Sequence, residues 1–153
     1  MREPEEIIEA RIVALLASAV PHLDVLGVLS PALEGEQKKS TDTYVSVFVD
    51  LASQNLDWCG PNVPCGYSVR VTVYVANADD VSGTKMRDTC RAVRAVLDAL
   101  KGDRCEALSG DGFSCDSFML NSTQTDLDQN ADGGGMGKTY IAAVTGRITD
   151  KER

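Results

Sequence analysis

Hydrophobic and polar positions along the chain fall into two periods, one helical and one of strands. Pro4 suits the first turn of a helix, and Glu5 and Glu6 complement the positive end of its dipole. Ile8, Ile12, Leu15, Leu16 and Ala19 then recur at helical spacing up to Pro21, which predicts one apolar stripe to be buried. Residues 23–29 are expected as a short strand, and residues 34–42, with Gly35, Lys38 and Lys39, as an exposed loop. Val45, Val47, Val49 and Leu51 alternate with Tyr44, Ser46, Phe48 and Asp50. The same period runs through Tyr67, Val69, Val71, Val73 and Val75. Together they predict an antiparallel hairpin with one well-buried face and a long tip over residues 54–66.

A second helix is expected after Asp79 or Asp80, with Met86, Cys90, Val93, Val96, Leu97 and Leu100 on one face and Gly102 at its end. Residues 113–121 and 139–149 are expected as two further strands around a Gly- and Asp-rich loop. The order is therefore α-β-β-β-α-β-β: an α+β fold, mostly an antiparallel sheet with two helices on one face. At 153 residues, 43% of them hydrophobic, the chain is expected to form one domain over residues 1–153 with a core that needs neither metal nor disulfide.

Charge narrows the function classes. A net charge of −8 disfavours a grip on nucleic acid, which draws its energy from clustered Lys and Arg. The N-terminal residues lack the basic and apolar regions of a secretory signal, and no apolar run has membrane length, so a soluble intracellular protein is expected. Five cysteines, Cys59, Cys65, Cys90, Cys105 and Cys115, are an odd number for a secreted disulfide framework, so reduced thiols are expected. Arg87, Arg91 and Arg94 lie on or beside the polar face of the second helix, either as a solvated surface or as a site for an acidic partner.

Chemistry-bearing motifs fall short of their requirements. Gly137, Lys138 and Thr139 resemble the end of a phosphate-binding loop, but Asp132 stands where that motif needs Gly, and a strand follows where it needs a helix. Asp126, Asp128, Asn130 and Asp132 alternate like calcium ligands, yet Ala131 and Gly137 replace the Gly and the closing Glu of the calcium loop. His22 is the only imidazole. No catalytic residue, cofactor or metal is therefore expected. Trp58, alone in a loop of Gly and Pro, is the candidate contact anchor, with a place over the sheet edge as the alternative. Lys38, Lys39, Arg87, Arg91, Asp126 and Asp128 complete the set of candidate interaction residues.

In its sequence of pieces the chain resembles the tail-terminator, or tail-completion, proteins of long-tailed bacteriophages and prophages, over about residues 5–149. The pieces are the helix over residues 5–20, the strands at 44–51 and 67–75, and the helix containing Thr89-Cys90-Arg91-Ala92-Val93-Arg94-Ala95-Val96-Leu97. A closing pair of strands around a long loop completes them. The resemblance implies a non-enzymatic subunit that caps the tail tube as a homo-oligomeric ring, usually of six copies, and meets the head-side connector. It also implies assembly in the host cytoplasm and residence in the virion tail. The tip at residues 54–66 and the loop at residues 121–137 are longer than that family leads one to expect. Two other classes stay open: a small-molecule or nucleotide-binding accessory domain, and another virion role such as a connector subunit or a minor capsid-associated protein.

Overall fold

The structure, a computed structural model, describes residues 3–20, 24–27, 44–51, 64–76, 84–110, 112–128 and 135–149. Helix α1 (Pro4–Ala19) opens with the Glu3 backbone N–H donating to Glu6 Oε2 at 3.3 Å, which satisfies a donor at the helix entry. The chain then runs through β1 (Asp24–Gly27), β2 (Tyr44–Leu51), β3 (Pro64–Ala76), α2 (Thr84–Ala99), β4 (Phe113–Asp128) and β5 (Gly135–Ile148). A short 3-10 helix, Gly102–Leu108, follows α2. The apolar pattern does not mark it: α2 stops at Ala99, and Gly102, expected at the end of that helix, instead opens the 3-10 helix with a φ of 67° that glycine adopts freely.

The five strands form one sheet in the order β1-β2-β3-β5-β4. Among the described residues β1 pairs in parallel with β2, and the other pairings are antiparallel. Partners across an antiparallel pair share a face. The register therefore lines up Val47 with Val71 and Tyr140, and Val49 with Val69 and Ala142. These residues are buried together with Ile8, Ile12 and Leu16 of α1 and with Val93 and Leu97 of α2. Helix α1 packs over β1 and β2, α2 packs over β3 and β5, and the helices touch each other, so both cover one face as the patterning predicts. Leu15 is only half-buried and Ala19 is exposed; the buried stripe of α1 is set one position back, through Ile7, Ile8, Ile12 and Leu16.

The closing hairpin is longer than its sequence pattern indicates. Most of the loop expected over residues 121–137 is strand, because β4 continues to Asp128 and β5 begins at Gly135. Residues 121–125 are exposed on the edge strand, so no apolar alternation marks them, and backbone pairing with β5 alone holds them extended. Register shifts fall between Cys115 and Ser117 and between Leu120 and Ser122, leaving Asp116 and Asn121 as inserted residues. The Arg147 Nε–H donates to Asp116 Oδ2 at 3.0 Å across the first shift. Similarly, β3 begins at Pro64, a tolerated first residue of a strand, three positions before the apolar alternation starts.

Candidate functional site

Between α2 and the β3–β5–β4 part of the sheet lies a half-open cleft of about 500 Å³. Val75, Cys90 and Tyr140 provide its buried apolar floor, and Met86 and Met136 its rim. Arg87, Arg91 and Arg94 approach from α2, and Lys138 from β5. Helical spacing puts Arg87, Arg91 and Arg94 on neighbouring turns, while Lys138 pairs with Val73 on the helix-bearing face. A chain of net charge −8 thus gathers four cations around a single concavity.

Local contacts set how these charges present. Tyr140 donates its hydroxyl hydrogen to the Cys90 carbonyl at 3.2 Å, tying β5 to α2 beneath the cleft. Burial raises the Tyr140 phenol and the Cys90 thiol above their ordinary values, so both stay neutral. The Lys138 ammonium sits 5.4 Å from the centre of the Tyr140 ring, a cation–π contact. Arg94 Nε lies 3.5 Å from Asp98 Oδ2, and Arg87 Nε lies 3.6 Å from Asp88 Oδ1. Both pairs are well exposed and hold little energy. Arg91 and Lys138 have no carboxylate partner among the described residues.

The sequence marked Arg87 and Arg91, and the structure brings them together with Arg94 and Lys138. In the sequence Lys138 stands out only as part of a phosphate-loop resemblance. It stands within β5 and no helix follows it, so its neighbours come from the sheet and from α2. Asp126 and Asp128 occupy β4, paired with Gly137 and Gly135 in an extended ladder unlike the wrapped calcium loop. Trp58, Lys38, Lys39 and His22 lie outside the described residues. No group of three or more His, Cys, Asp or Glu suited to a metal occurs among the described residues. Cys65 is disulfide-bonded, a correction to the expectation of reduced thiols, while Cys90, Cys105 and Cys115 are free. An odd cysteine count argues against a framework of bridges but does not decide any one pair.

Folds built from a sheet and two helices serve many functions, so likeness to solved structures matters here. The chain superposes on one from the structure "Virion of native gene transfer agent (GTA) particle" with a TM-score of 0.53 and 16% identity, over 90% of this chain and 92% of that one. The fold is that of a virion-particle chain. At such identity the likeness speaks for the fold alone. No protein-family profile and no curated protein sequence matches the chain. Among the described residues no helix is long and apolar enough to cross a membrane.

Proposed function

We propose that the chain is a structural subunit of a phage-like particle that caps the tail tube as a homo-oligomeric ring and joins it to the head side. The observation that carries this reading is the fold shared end to end with a chain of a gene transfer agent virion. The α-β-β-β-α-β-β order resembling tail terminators supports the tail position in particular. The subunit works by contact and not by catalysis: a rigid sheet and helix layer holds the charged cleft and the long β4–β5 hairpin in place for its neighbours. On this reading it assembles in the host cytoplasm and ends in the virion tail, with the tube protein and the head-tail connector as partners.

Polymerisation of the tail-tube protein tests the proposal. Adding the chain is expected to stop tube growth and leave a ring at one end in negatively stained images; tubes that lengthen unchanged and bare-ended would overturn it. The cleft gives one specific reason for a second reading, a binding domain for a small anionic ligand, because its volume and four cations suit such a molecule. Saturable micromolar binding of a nucleotide or polycarboxylate, lost in Lys138→Ala, would favour that reading.

A further inference from the structure

We propose that the cleft between α2 and β5 docks an extended acidic segment of another protein of the particle, with carboxylates on alternate residues and an apolar side chain beside them. The inference deepens the structural-subunit reading above: it takes the source of the segment from that reading and names the surface that receives it.

The cations are laid out to meet a chain and not a compact anion. Arg87, Arg91 and Arg94 occupy successive turns of α2, with Arg91 about 6 Å beyond Arg87 along the helix axis. An extended peptide presents the same face every ~7 Å, so carboxylates two residues apart keep pace with arginines one turn apart. Each guanidinium can hold a carboxylate through two parallel hydrogen bonds. Lys138 faces them from β5, across the cleft. Arg91 and Lys138 have no carboxylate partner among the described residues, and the exposed pairs Arg87–Asp88 and Arg94–Asp98 are weak enough to exchange for a better one.

Apolar contact favours a peptide as well. Met136 on the rim is 37% exposed, a flexible side chain of the kind that adapts to a partner's apolar residue. Below it the buried floor of Val75, Cys90 and Tyr140 keeps the local dielectric low, which strengthens ion pairs formed above. A small polycarboxylate would meet the cations and leave Met136 in water. Nucleic acid is a poorer occupant, because the chain as a whole carries −8 and would repel the phosphates flanking any docked stretch.

Selection from a displayed library of random decapeptides, with the wild-type chain as bait, tests the docking. The enriched sequences are expected to share two or more carboxylates on alternate positions and an apolar residue. The strongest of them, labelled with fluorescein, should bind Arg91→Glu/Lys138→Glu about tenfold or more weakly, with wild-type circular dichroism. The neutral pair Arg91→Gln/Lys138→Gln, which disturbs folding less, should show a loss of the same direction, and Met136→Ser a loss of about threefold. Enriched sequences that are neutral or basic, or unchanged binding in the variants, would overturn the proposal. So would citrate, ATP or oligodeoxythymidine binding the cleft more tightly than every selected peptide. Wild-type oligomers in native mass spectrometry that vanish in Arg91→Glu/Lys138→Glu would put a second copy in the cleft and overturn it too. If the selection enriches nothing while the chain still caps growing tubes, this inference is wrong and the tail-cap reading stands. If acidic peptides bind as expected but tubes lengthen unchanged, the docking stands and the tail-cap reading falls.

Discussion

Gly146 shows how little room the core leaves. A β-carbon there would come within 2.3 Å of the Phe113 ring and 2.7 Å of the Ser114 carbonyl oxygen. Phe113 has nowhere to go, being held edge-on against Tyr67 with ring centres 5.8 Å apart. Gly146→Ala is therefore expected to cost about 1–3 kcal/mol of stability through overpacking. Thermal melting checks this, and a wild-type midpoint would mean that the Phe113 ring can shift. Cys115 makes a separate prediction about pH. Burial, reinforced by the neighbouring Cys105, pushes its thiol from 9.0 up to about 12. Below about pH 9 the thiol is neutral whether folded or unfolded, so its contribution to stability is complete. As pH rises from 9 towards 12, only the unfolded chain gains by ionising, and stability drains away. Urea denaturation at pH 8 and pH 10 should show a loss in wild type that is smaller in Cys115→Ala; equal losses would place the alkaline sensitivity elsewhere, with Tyr140 and Cys90 next in line.

Among the elements, α2 and α1 differ in how firmly their apolar positions are held. Val93 is fully buried, so Val93→Asp puts an unpaired carboxylate into the core and is expected to unfold the domain. Leu15 is half-buried against the same core, and Leu15→Asp can turn its charge toward water. Val93→Asp should therefore be the more damaging by about 2 kcal/mol or more; equal melting midpoints would contradict the burial of the two helices. The same contrast explains what the sequence reveals. Strict alternation from Val45 to Val49 and from Tyr67 to Val75 identifies β2 and β3 because one face meets both helices. Residues 121–125 carry no such pattern, since the edge strand is solvated there, and the Gly- and Asp-rich composition of the hairpin disguises the rest. For the site, Arg87 and Arg91 are visible as a helical charge row. Lys138 becomes their neighbour only through the β3–β5 pairing, which joins residues far apart in the chain.

At the scale of the whole molecule, one face of the sheet is covered by both helices, and among the described residues no helix covers the other. That open face carries Ser46, Thr72 and Thr139 in register, with the Thr72 and Thr139 hydroxyls 3.0 Å apart, and Met119 is 63% exposed near its edge. A subunit with a sheet face that no described helix covers and a basic cleft beside α2 is suited to neighbours on several sides. The most direct measurement is the mass distribution of the purified chain at low salt, alone and with tail-tube protein. The account predicts a discrete closed oligomer that associates with tube ends. A monomer that neither self-associates nor binds the tube would contradict it.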